Sequence, residues 1–161
     1  MKKGCRYGTH RVLSPAGTLP QPAQRLDNTM EVYDNEVLID VSTLNVDSAS
    51  YTQIKQVCGN DAEKMKQMIL SIVEERGKLQ NPVTGSGGML IGTVKKIGEN
   101  FPKNKLKVGD KIATLVSLSL TPLKIKAIKK LVPESDQVDV EAEAILFESG
   151  LFATLPDDIP E

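Results

Sequence analysis

A chain of 161 residues with 20 basic and 21 acidic side chains carries a net charge of -1, which excludes an electrostatic footprint for nucleic acid and gives length for one domain with its own core. No apolar run approaches the roughly 20 residues that cross a bilayer, and Met1-Lys2-Lys3-Gly4-Cys5-Arg6 is no secretory leader, so no membrane partner and a cytoplasmic location are expected. Aromatic residues make up 4% and tryptophan is absent, which excludes base-stacking platforms and leaves an aliphatic core.

Residues 8–28 are rich in proline, glycine and glutamine, with only Arg11-Val12-Leu13 reading as a short strand, so this arm is mostly extended loop. It holds the single histidine, His10, which reads as a hydrogen-bonded packing residue before a catalyst. From Glu36 the sequence alternates as a strand, with Val37, Ile39, Val41 and Thr43 on one face and an end at Asn45. Asp47-Ser48-Ala49-Ser50-Tyr51-Thr52 then offers short polar side chains that suit a helix cap and equally put a carboxylate and hydroxyls at a strand's end. Asn60, with Glu63 at capping-box spacing, opens a helix near 60–77 whose Met65, Met68, Ile69, Ile72 and Val73 form an apolar stripe and which Gly77 ends.

Asn81 to Gly88 is the glycine-rich stretch, with Gly85, Gly87 and Gly88 feeding a strand from Met89 to Ile97. Gly98 to Asn104 is a turn. A Gly109-Asp110 turn precedes a third strand over Lys111–Leu115, the signature of antiparallel pairing. Lys124 to Leu131 alternates lysine with apolar residues and reads either as a guarded edge strand or as a surface helix. Val138 to Phe147 is a further strand, and Leu151 to Pro156 a last one stopped by proline. Short strands dominate, so the residues predict a mainly β (α+β) fold, a barrel or sandwich with one inserted helix.

The glycine stretch fits no phosphate-cradling motif. Leu90 stands where a dinucleotide fingerprint has its third glycine, and a strand follows instead of the required helix. Gly85-Ser86-Gly87 lacks the spacing of a nucleophile elbow, and Ser86 has no evident base. Cys5 and Cys58 lie outside any Cys-x-x-Cys spacing and, with one histidine, cannot complete a four-ligand zinc site; both read as reduced structural thiols.

Four ordered stretches, 36–41, 92–98, 106–113 and 152–156, resemble the landmarks of the GroES-like catalytic domain of medium-chain alcohol dehydrogenases. Further stretches at 8–12, 19–23, 45–50, 81–89, 113–123 and 145–150 resemble the diaminohexanoate dehydrogenase family within that superfamily, so the likeness covers essentially the whole chain. The resemblance implies a GroES-like, partly open β-barrel over residues 1–161, with no Rossmann domain in this chain and one expected to follow it. It implies oxidative deamination of L-erythro-3,5-diaminohexanoate to 5-amino-3-oxohexanoate and ammonia in bacterial lysine fermentation, with NAD or NADP held by that further domain and a homodimer as the whole protein. The isolated chain is expected to be inactive. Alternatives are a zinc-free quinone or enoyl reductase-like oxidoreductase and a non-enzymatic GroES-like binding module.

Against the zinc enzymes of the superfamily, Asp47 falls in the place of a cysteine ligand and Gly88 in that of a histidine ligand, so no catalytic zinc is expected. An amine must lose a proton before releasing hydride, which makes Asp47 the candidate base or ammonium binder. Ser48, Ser50, Tyr51, Thr52, Ser86, Gly87 and Gly88 are candidate substrate contacts. Glu148 is a second candidate carboxylate, with a solvent-facing strand end as its plain reading.

Overall fold

The computed structural model describes residues 2–102 and 106–155. The proline stop at Pro156, and the part of the Gly98–Asn104 turn formed by Lys103 and Asn104, lie outside those residues. A six-stranded sheet carries the fold, in the order β6 (Leu123–Val132), β7 (Gln137–Leu146), β3 (Val37–Val46), β4 (Gly88–Ile97), β5 (Lys111–Thr114), β8 (Phe152–Thr154). Every pair in it is antiparallel. The sheet does not close, since β6 and β8 stand at its two edges, and a small ribbon of β1 (Val12–Ser14) and β2 (Arg25–Leu26) lies apart from it. This mixed, partly open arrangement fits a GroES-like topology and contains no parallel dinucleotide-binding sheet among the described residues. It differs from the barrel or sandwich read from the residues in its open edges and in a second helix.

β3 is central, paired with β7 on one edge and β4 on the other, and its two faces meet different clusters. Val37, Ile39 and Val41 enter the main core, while Leu38 enters a smaller cluster with Val32, Ile145 and Phe147. Strict alternation would continue the core face to Thr43. Instead the register shifts between Val41 and Thr43 against both neighbours, and Leu44 and Val46 take the core positions. A bulge of this kind adds one residue and reverses the facing of all that follow.

The segment after β3 is a full helix, α1 (Ser48–Val57), rather than a single capped turn. The second helix, α2 (Ala62–Arg76), is capped by Asp61, whose carboxylate accepts from the backbone of Glu63 and Lys64. Asn60 stands outside it at φ 62°, so the cap is displaced by one residue from the expected Asn60; Lys64 then stands three residues on, and the expected capping box with the Glu63 side chain does not form. Met65, Ile69, Ile72 and Val73 are buried as the apolar stripe requires, Met68 packs at the margin, and Gly77 ends the helix in the left-handed region. The lysine-alternating stretch is a strand, β6. Its pairing with β7 settles what its period left open, and exposed Lys124, Lys126, Lys129 and Lys130 guard an edge that would otherwise invite strand addition.

The amino-terminal arm is fastened by buried polar groups. Arg11 and Glu36 are both fully buried and meet in a two-pronged pair, Nε to Oε2 and Nη2 to Oε1, each 2.7 Å. The remaining guanidinium hydrogens go to the carbonyls of Asp27, Thr29 and Glu31. His10 accepts the Cys5 N–H at Nδ1, which leaves Nε2 to donate to Glu36 at 2.7 Å. Its ring packs on Tyr33 and Phe147, in keeping with a packing residue. Further along, Lys78 is fully buried without an acidic partner and donates to the carbonyls of Pro20 and Gln21. Burial, with a smaller push from Arg76, brings its pKa down to about 7.

Gly88 is the tightest backbone contact of β4. It sits at φ 143° opposite Val46, and a Cβ there would lie 2.1 Å from the Asn45 carbonyl oxygen. Glycine is therefore required by the approach of β3.

Three variants check these points. Glu36→Gln leaves a buried guanidinium uncompensated and should cost about 3–5 kcal/mol in denaturant unfolding. Burial raises the Glu36 pKa, but the bonds from His10 and Arg11 outweigh it and hold the group below its ordinary 4.5. Its contribution is thus present above pH 4.5 and lost as pH falls through the depressed value, so Glu36→Gln should also flatten the acid limb of the stability curve. Lys78 works in the opposite chemical sense, being a base that the fold prefers neutral. Stability should rise between pH 7 and 10.5 as the unfolded chain ceases to bind that extra proton, and Lys78→Met should remove the rise. Gly88→Ala should destabilise by about 1–3 kcal/mol, read as a shift in the urea midpoint.

Candidate functional site

The end of β3, the first turn of α1 and the glycine stretch converge on one open cleft of about 640 Å³. Asn45, Val46 and Asp47 form one side; Gly85, Ser86, Gly87, Gly88 and Met89 the next; Leu115, Ser117 and Ser119 the third, with Gln21 of the arm at the rim. Its position follows from chain geometry. β3 and β4 pair up to Val46 opposite Gly88, so the segments beyond those residues must leave the sheet together. The Asp47 N–H then donates to the Gly87 carbonyl at 2.9 Å and binds the two walls to each other.

Asp47 is the cap of α1 and a cleft residue at once. One carboxylate oxygen accepts the Ala49 N–H at 3.0 Å, and the other has no bond to the described residues. It is the one formally charged side chain among the described residues lining the cleft. The glycine loop is shaped by buried Asn81. Its Oδ1 accepts from the backbone of Val83 and Thr84, its own N–H donates to the Ser86 carbonyl, and its Nδ2 donates to Gln53 on α1 at 2.8 Å. Helix and loop are thereby held at a fixed separation.

The other sequence candidates divide by location. Ser86, Gly87 and Gly88 line the cleft with Asp47, and the Ser86 hydroxyl bonds to Thr84 at 2.8 Å. Ser48 and Thr52 are exposed on α1 outside the cleft lining. Ser50 and Tyr51 turn inward, both buried, with hydroxyls that find no partner among the described residues. Burial pushes the Tyr51 phenol up, with Asp136 and Glu134 adding to it. Glu148 lies elsewhere, within 3.8 Å of Arg6, while its chain neighbours Phe147 and Ser149 line an apolar pocket of about 250 Å³ together with Leu19, Val116 and Leu120. That pocket backs onto the cleft. Val116 and Leu120 face it while Leu115, Ser117 and Ser119 face the cleft, and Gln21 borders both.

Sequence reasoning did not single out Ser117, Ser119, Asn45 or Gln21 as cleft residues. The only local signal was the alternation in Leu115-Val116-Ser117-Leu118-Ser119, polar on one side and apolar on the other. Gly88 lines the cleft, and its missing side chain also accommodates the β3 backbone.

A zinc ion of the kind the superfamily uses does not fit this donor set. Gly88 offers no side chain and no space for one, Asp47 is a single carboxylate already spent in part on the α1 cap, and His10 is committed to Glu36. Among the described residues no three of His, Cys, Asp and Glu converge as a metal cluster. Nor is any helix there long and apolar enough to cross a membrane.

Residues 10–156 match the family model described as L-erythro-3,5-diaminohexanoate dehydrogenase N-terminal domain. L-erythro-3,5-diaminohexanoate dehydrogenase of Fusobacterium nucleatum is 65% identical over 100% of this chain and 47% of its own length. The enzyme of the same name from Acetoanaerobium sticklandii is 62% identical over 99% of this chain and 46% of its own length. A solved structure described as a zinc-binding dehydrogenase of Clostridium scindens is 17% identical, covering 82% of this chain and 35% of that one with a TM-score of 0.37, too distant to bear on the site. The chain spans about half the length of the curated relatives it matches. With 147 of 161 residues inside the matched range, counted from 10 to 156, the chain belongs to the family of L-erythro-3,5-diaminohexanoate dehydrogenase N-terminal domains.

Proposed function

We propose that this chain is the substrate-side portion of an NAD- or NADP-dependent amine dehydrogenase that oxidatively deaminates L-erythro-3,5-diaminohexanoate to 5-amino-3-oxohexanoate and ammonia. The observation that carries the reading is the Asp47 carboxylate, half free and the sole charge of an open cleft, in a chain of this family. A carboxylate that caps a helix is held in one orientation, and its unused oxygen is an acceptor for an ammonium group. The same oxygen can take the proton that the 3-ammonium must lose before the carbon–nitrogen unit is oxidised. A nicotinamide cofactor, when bound, supplies the hydride acceptor. The described residues have neither a parallel sheet nor a glycine-rich strand-to-helix turn to hold one, so we assign its binding to residues outside them. The whole protein is proposed to work as a cytoplasmic homodimer.

Asp47→Asn separates the two roles of this residue. Asparagine caps helices as well as aspartate does, so unfolding stability should change by less than about 0.5 kcal/mol. Charge and basicity are lost. In the product of the gene that encodes this chain, 3,5-diaminohexanoate-dependent reduction of NAD or NADP should fall by about 100-fold or more in kcat/KM. Activity within about threefold of the parent would remove Asp47 from the mechanism, and no amine-dependent reduction by the parent protein would remove the dehydrogenase reading.

A further inference from the structure

The Ser117 hydroxyl has an unusual hydrogen-bond state. It accepts the Ser119 backbone N–H at 3.1 Å and the Ser119 hydroxyl at 2.7 Å. A serine oxygen has two lone pairs, so both are used and the hydroxyl can now only donate. No acceptor for that proton is found among the described residues, and Ser117 lines the cleft. Ser119 is 2% exposed, so its hydroxyl has little access to water and stays on Ser117. The Thr121 hydroxyl fixes the same turn by donating to the Ser117 carbonyl at 3.0 Å.

The opposite polarity stands across the cleft floor. Gly87 packs against the Ser119 backbone nitrogen on one side, and its carbonyl accepts from the Asp47 backbone on the other. The lining of one cleft thus holds a group that only accepts, the Asp47 oxygen, and a group that only donates, the Ser117 hydroxyl. A ligand matching both carries a positive donor and an acceptor.

Resting on the amine dehydrogenase reading above, we propose that Ser117 is the residue that binds the substrate's carboxylate, so that the cleft recognises a 3-amino acid as a zwitterion, ammonium at Asp47 and carboxylate at Ser117. Donation from Ser119 polarises the Ser117 O–H bond and strengthens its own donation. Ser119 is thus a positioning residue, acting through Ser117. The cleft then distinguishes amino acids from simple amines without a cation in its lining.

The test is calorimetric titration of the gene product with 3-aminobutanoate and with its carboxamide, 3-aminobutanamide, in the parent protein, Ser117→Ala and Ser117→Thr. A hydroxyl donating to a carboxylate predicts that Ser117→Ala weakens 3-aminobutanoate about 10- to 100-fold while weakening the carboxamide far less. Ser117→Thr, which keeps the hydroxyl, should restore the preference, and unchanged thermal midpoints would show that all three proteins are folded. Equal loss for both ligands, no loss in Ser117→Ala, or no binding of 3-aminobutanoate by the parent protein would each overturn the assignment. Acid-selective binding lost in Ser117→Ala, in a protein that never reduces NAD or NADP with an amine, supports the assignment while defeating the dehydrogenase reading. Turnover with Ser117-independent binding does the reverse.

Discussion

Glu36 and Arg11 lie 25 residues apart, are wholly removed from water, and hold each other by two charge-assisted bonds of 2.7 Å. A buried pair of this kind is strong only when every remaining polar hydrogen is also satisfied, because desolvation of two charges is expensive. Here that condition is met. The guanidinium reaches three arm carbonyls, and the carboxylate also takes the His10 ring and the Tyr33 N–H. The pair fixes the 27–31 segment against the first residue before β3, and β3 in turn is the strand on which both neighbours of the sheet are registered. The arm would otherwise have little to hold it, since its own ribbon, β1 with β2, is very short.

The cleft is a consequence of that central strand. The bulge after Val41 brings Leu44 and Val46 into the core, and the strand then ends where Gly88 lets the β4 backbone approach most closely. Two chain segments leave the sheet side by side, and the Asp47–Gly87 bond keeps them so. Lys78 and Gln80 anchor the Gln21 carbonyl from behind, which sets the arm at the cleft's rim. The proposed chemistry thus rests on rigid surroundings around a small number of polar atoms: one carboxylate oxygen and one hydroxyl proton.

Much of the fold was legible because it is periodic. The α2 stripe, the alternation of β7 and the Gly109-Asp110 turn all follow local rules, and the structure places them within a residue or two of expectation. The phase reversal in β3 was not legible, since a bulge is decided by how two partners fit and Ser42 looks like any alternating polar residue. β6 was ambiguous for a related reason: lysine at every second or third position suits either an edge strand or a surface helix, and only β7 decides. At the site, the Asp47 turn and the glycine stretch were readable by their residue types and by family resemblance. The Ser117–Ser119 relay was not, because two serines in a Ser-Leu-Ser-Leu run carry no chemical signature until a 3-10 turn folds one hydroxyl onto the other. Ser50 and Tyr51 show the converse. They have the right chemistry in the right stretch, yet the helix that follows Asp47 turns them into the interior.

The cleft between residues 45–47 and 85–89 is the proposed place where the amine is held. The most direct measurement is a structure of the gene product with 3,5-diaminohexanoate bound. The account predicts the 3-nitrogen at about 2.7–3.0 Å from the free oxygen of Asp47. A ligand bound elsewhere, or an amine nitrogen resting on another carboxylate such as Glu148, would contradict it.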